Sequence, residues 1–168
     1  MEKGKLLIYT GNHKEGFLAA FGKAVSEAAA GKQVVIIRSL RGKNFWNSDF
    51  IKKMEPELKI FRFEKSEEDF ENLSDEKKAE ETENIRNGIN YARKVLATGE
   101  CNLLILDGIF ELTGKKILTV EEVKNILKLQ GDTDIIMIGK NPEAEICNLA
   151  DCVLTVTVSS VMISAETT

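Results

Sequence analysis

Six short aliphatic runs, spaced by helical patterns, restrict this chain to few folds. They are Leu6–Tyr9, Gln33–Ile37, Leu58–Phe63, Leu103–Leu106, Ile135–Ile138 and Val153–Val158. Runs such as Leu103-Leu104-Ile105-Leu106 lack the polar alternation of a half-solvated strand, so they read as strands covered on both faces. Helical periodicity fills most of the gaps: Phe17–Ala30, Asp75–Thr98, Val120–Leu129 and Glu143–Leu149. Thr119 followed by Glu122 has the spacing of a capping box. Gly31, Gly99 and Gly131 fall where helices would end. Strands alternating with helices predict an α/β fold, a mainly parallel sheet with right-handed crossovers and helices on its faces. A length of 168 residues suits one domain, 1–168, with a real core.

Bulk chemistry removes several function classes. The net charge is −4 and the basic residues form no stripe, which argues against a nucleic-acid partner. No apolar run approaches membrane-spanning length. The chain reads from Met1-Glu2-Lys3-Gly4 into a strand without a signal-type segment, so a cytoplasmic protein is expected. Cys101, Cys147 and Cys152 form no CxxC pair; Cys101 and Cys152 flank aliphatic runs, where a buried thiol acting as a small hydrophobe is expected. His13 is the only histidine. The dense mixed charge of Glu64–Glu83 reads as a mobile loop running into a solvated helix face. Residues 159–168 carry no strong pattern.

In a parallel sheet, ligands bind at the carboxyl ends of the strands. Four segments of this chain fall there: Thr10–Gly16, Arg38–Lys43, Asp107-Gly108 and Gly139–Pro142. The first is a glycine-containing turn between a strand and a helix, where backbone N–H groups and the helix dipole favour an anion. Candidate anion-binding residues are therefore Thr10, Gly11, Asn12, His13, Lys14 and Gly16, with Lys140 and Asn141 from the fifth turn. Asp107 ends an apolar strand, as an aspartate holding magnesium near phosphate would, although strand-end aspartates are also common turn caps. Lys14 could reach a phosphate and His13 could donate to an anion; exposed polar turn residues are the plainer account of both. Phe45 and Trp46 could line an apolar pocket, or belong to core or interface. No residue stands out as catalytic.

At these residues the chain resembles the ATP:corrinoid adenosyltransferases of cobalamin synthesis and salvage. In that family the first strand runs into Tyr-Thr-Gly-Asn-Gly-Lys-Gly-Lys-Thr-Thr-Ala-Ala-Leu-Gly. Here Tyr9–Gly22 keeps Tyr-Thr-Gly-Asn, Lys14, Ala19-Ala20 and Gly22. Leu40-Arg41-Gly42, Phe61-Arg62-Phe63, the run Leu96–Asp107, Val120–Val123, Ile138–Pro142 and Leu149–Val153 match further family segments in order. The resemblance implies a P-loop, RecA-like three-layer fold, a homodimer, and the transfer of the adenosyl group of ATP to a reduced corrinoid with magnesium.

The departures cut against that activity. Glu15, Gly16 and Phe17 stand where the family has Gly-Lys-Thr, so the lysine facing the triphosphate and the hydroxyl on magnesium are replaced. Glu15 adds negative charge beside any phosphate. Gly108 stands where the family has glutamate. The charged Glu64–Leu73 replaces the corrinoid-facing Trp-Glu-Thr segment, and the family's C-terminal tail has no counterpart. None of the six Gly-Lys pairs is followed by Ser or Thr, so no second P-loop substitutes. Three readings follow: an active adenosyltransferase, a catalytically impaired binding or regulatory homologue, and a residual nucleotide or phosphate binder. The expectation is an adenosyltransferase-like protein that is catalytically impaired or inactive, with a non-catalytic binding or regulatory homologue holding another anion, nucleotide or protein partner as the alternative.

Overall fold

The computed structural model describes residues 2–42 and 49–161. Phe45 and Trp46 lie outside the described residues.

Six parallel strands form one sheet: β1 (Leu6–Gly11), β2 (Val34–Arg38), β3 (Leu58–Arg62), β4 (Leu103–Asp107), β5 (Asp134–Ile138) and β6 (Cys152–Val156). Their spatial order is β3-β2-β4-β5-β1-β6. The aliphatic runs earned their central places: every residue of β2 and β4 is buried. Successive residues feed opposite faces. Leu104 and Leu106 pack with α3 (Asp75–Thr98), α4 (Ile109–Gly114), α5 (Val120–Leu127) and α6 (Ala144–Cys147). Leu103 and Ile105 pack instead with α1 (His13–Ala29) and Ile51 of α2 (Asp49–Lys52). The result is the expected three-layer α/β architecture.

Local signals act as the sequence suggests. Thr119 and Glu122 close a reciprocal capping box, with Thr119 N–H on Glu122 Oε2 at 2.9 Å and Glu122 N–H on Thr119 Oγ1 at 3.1 Å. Gly99 ends α3 at φ 67°, a left-handed cap.

Three expectations need correction. α1 begins at His13, not Phe17, because the Asn12 side chain caps it by accepting Glu15 N–H at 3.1 Å. Cys152 is exposed, not buried, because β6 is an edge strand with every residue exposed or partly so. The Glu64–Glu83 segment is not simply solvated. Glu81 is 6% exposed and its carboxylate accepts Lys65 N–H at 3.0 Å, while Glu64 accepts Leu40 N–H at 2.9 Å.

Candidate functional site at the carboxyl edge

Sheet register dictates the centre of the site. β2 and β4 are neighbours, and Arg38 pairs directly with Asp107. Each is the last residue of its strand, so the two side chains meet at the carboxyl edge. Arg38 Nε donates to Asp107 Oδ2 at 2.9 Å. Asp107 Oδ1 is taken from the other side by Arg41, through Nε at 3.2 Å and NH2 at 2.8 Å. Arg41 then reaches Glu111 Oε1 at 3.3 Å, and Lys140 N–H donates to the same oxygen at 3.3 Å. Asp107 is 1% and Arg38 6% exposed, so this is a buried ionic chain and not a surface pair. Two guanidinium groups against two carboxylates repay enough of their desolvation to persist, and leave neither sign in large excess.

Burial pulls the Arg38 pKa down, partly offset by Asp107. The Arg41 pKa is up despite the burial that acts on it most strongly, because Asp107 and Glu111 both hold its charge. Glu111 Oε2 is buried with no donor among the described residues, which leaves one acceptor of the chain unmet.

The first turn of α1 closes the other side. Phe17 is 3% exposed, and the Arg38 guanidinium lies over its ring at 3.7 Å. Phe17 thus serves as core and as the floor beneath Arg38. Backbone donors near Asn12 are largely spent within the fold. Asn12 N–H donates to Val156 O at 2.7 Å, Glu15 N–H to the Asn12 side chain, and Gly16 N–H to Asn12 O at 2.8 Å. Residues 13–16 are helical instead of forming an open loop.

The sequence candidates come together unequally. Thr10 and Gly11 end β1, Asn12 caps α1, and His13, Lys14 and Gly16 form its first turn. Lys140 and Asn141 follow β5, the strand between β1 and β4. Asp107 faces its two arginines. His13 is close enough to feel four charged groups: burial lowers its pKa first, Arg41 and Lys140 lower it further, and Asp107 and Glu111 oppose. Sequence reasoning placed Arg38 and Arg41 in the segment after the second strand without giving either a role, and missed Glu111. A lone arginine closing an all-aliphatic strand, and a lone glutamate inside Ile109-Phe110-Glu111-Leu112, were the available signals.

Gly108 also has a structural account. It sits at φ 91°, and a Cβ built there would lie 2.2 Å from Ser39 O. The loop after β2 has closed on this position, so a side chain such as the family's glutamate cannot occupy it.

Magnesium fits this arrangement poorly. Both Asp107 oxygens are engaged by guanidinium, and one unmet oxygen on Glu111 is far short of an octahedral set. Among the described residues no group of three or more His, Cys, Asp or Glu side chains could hold a metal ion.

The profile of the ATP:corrinoid adenosyltransferase family (BtuR/CobO/CobP) matches residues 2–165, almost the whole chain. The chain belongs to that family. Among similar proteins are the corrinoid adenosyltransferase of Escherichia coli (strain K12) and the corrinoid adenosyltransferase CobA of Salmonella typhimurium (strain LT2). Each is 26% identical over 153 residues, covering 90% of this chain and 76% of the relative. This member of the adenosyltransferase family carries at its carboxyl edge the ion-pair chain from Arg38 through Asp107 and Arg41 to Glu111. No described helix is long and apolar enough to cross a membrane.

Proposed function

We propose that this adenosyltransferase-family protein does not turn over Mg·ATP, and acts as a catalytically impaired, binding or regulatory homologue. One observation carries the reading: the strand-end aspartate that would face magnesium is already neutralised by Arg38 and Arg41. Adenosyl transfer asks a protein mainly to position ATP, metal and corrinoid. Here the lysine and threonine that would hold the phosphates and metal are Gly16 and Phe17, and Phe17 is committed to the core. The degenerate P-loop, the loss of ATP and corrinoid turnover and a homodimeric state are parts of this proposal.

The test is the melting temperature of the native protein against millimolar Mg·ATP, with the E. coli relative alongside. A ligand held only by the folded state raises stability by mass action. The expected result is no shift for this chain and a clear one for the relative. A saturable rise for this chain, with adenosylation of a reduced corrinoid, overturns the proposal.

A second reading is favoured by His13, whose pKa is lowered first by burial and then by Arg41 and Lys140, which outweigh Asp107 and Glu111. A net positive field there suits a small metal-free anion on Thr10, Gly11, Asn12, His13, Lys14, Gly16, Lys140 and Asn141. Titration with inorganic phosphate in the presence of a chelator checks it. Heat on injection supports this reading, and silence removes it.

A further inference from the structure

We propose that Glu64 is a positioning residue: it latches the loop after β2 so that Arg41 covers Asp107 and Glu111.

The loop needs a latch. Leu40 has φ 59° and Gly42 φ 50°, so Arg41 lies between two left-handed residues. A branched-chain residue such as leucine pays to adopt that conformation, and it persists only where the surroundings enforce it. The enforcing contact is Glu64 Oε1, which accepts Leu40 N–H at 2.9 Å from just beyond β3. The same segment braces the loop a second time. A Cβ built on Gly42 would lie 2.6 Å from Asp69 Oδ1 and 3.8 Å from Glu67 O, so residues 67–69 press directly against it. The segment is itself tied down: Arg62 donates to Ser66 O, and Lys65 N–H to the buried Glu81 carboxylate. A stretch that looks like solvated charge in sequence is a brace for the Arg41 loop.

The bond is strongest with Glu64 ionised, because a carboxylate accepts an amide proton better than a neutral acid does. Three charged groups face Glu64: Arg62 at the end of β3, Arg41 in the loop it holds, and Glu81 from α3. Burial raises its pKa most and Glu81 adds to this, while the Leu40 amide, Arg62 and Arg41 oppose; the balance is upward. Glu64 therefore takes up its proton at a higher pH than an ordinary glutamate. The raised value belongs to the latched structure, so the proton favours that structure over an opened loop in which Glu64 titrates normally.

The latch rests on the reading that Arg41 closes the site, but its test does not involve ATP. The guanidinium Nε–H of Arg41 and of Arg38 both bond Asp107, and only Arg41 depends on the latch. Their hydrogen-exchange rates, measured by NMR on the full chain at pH 7.5, give a ratio from which intrinsic exchange chemistry largely cancels. Glu64→Ala is expected to raise the Arg41 rate roughly tenfold relative to Arg38. Glu64→Gln keeps an acceptor for the Leu40 amide, so its ratio is expected to stay near the native one. A Glu64→Gln ratio as high as that of Glu64→Ala overturns the latch. A Glu64→Ala ratio equal to native at pH 7.5 overturns it as well. Mg·ATP binding with adenosylation of a reduced corrinoid by the native protein would defeat the proposed function and leave these ratios as the measure of the latch.

Discussion

The two ends of the sheet satisfy their polar groups in opposite ways. At the amino end, side chains finish on backbone. Gln130 donates to Lys5 O at 3.0 Å and Thr133 O at 2.9 Å, Thr133 to Cys101 O at 3.0 Å, and Asp134 and Asp151 accept Lys5 and Leu6 N–H, each at 2.8 Å. At the carboxyl end, side chains finish largely on one another, from Arg38 through Asp107 and Arg41 to Glu111. Bonds to backbone hold a scaffold and need no outside partner. A chain of buried charges is costly to assemble and stands where the family's chemistry belongs. The difference teaches that the described part of this edge pairs its charges with one another, with charge kept where a ligand's charge would be met.

The largest effect should come from breaking that chain at its centre. Asp107→Asn leaves Arg38 and Arg41 facing a neutral amide in a buried site. The expected loss is about 3–5 kcal/mol of unfolding free energy by denaturant titration. Replacing Asp107, Arg38 and Arg41 together by apolar residues of similar size should recover much of it, because no unpaired charge remains. If Asp107→Asn were nearly neutral, the aspartate would not be a structural counter-ion and the contrast between the ends would fail.

The amino end should respond less. Gln130→Ala removes one buried amide and leaves the Lys5 and Thr133 carbonyls without that donor, at about 1–3 kcal/mol by the same measurement. Melting with Mg·ATP should be unchanged by it, since it lies at the far end of the strands. A loss matching that of Asp107→Asn would mean that both ends carry comparable electrostatic weight.

How much of this was legible before the structure differs between the same two regions. Strands and helices were readable because aliphatic runs and caps act locally; Thr119, Glu122 and Gly99 do what their spacing announces. β6 was readable as a strand, but its exposure was not. Val153 is 43% and Leu154 38% exposed, and only the sheet order makes this an edge. The site was half legible. Asp107 and the turn after β1 were located by their place after apolar runs. Arg38 became its partner through a register that joins residues 69 apart. Glu64 and Glu81 looked like solvent charge because the amides they accept, Leu40 and Lys65, lie 24 and 16 residues away.

The smallest and most discriminating effect belongs to Glu64. Its folded-state pKa is raised above the ordinary value, chiefly by burial. A raised pKa means that the folded state binds the proton more tightly than the unfolded chain. The stability linked to that proton is complete below the unfolded pKa and is lost as pH rises through the folded one. At neutral pH the ionised carboxylate is therefore a burden on the fold, even while it holds Leu40. Glu64→Gln keeps the acceptor and removes the burden, so it should stabilise the protein at pH 7 by under about 1 kcal/mol. The gain should shrink toward zero as pH falls into the range where native Glu64 is itself protonated. Denaturant titrations at several pH values give both the sign and the slope. A destabilised Glu64→Gln at pH 7 would mean that the pairing with Arg62 and Arg41 outweighs desolvation, and that charge at this corner strengthens the fold in the way the Asp107 ion pairs do.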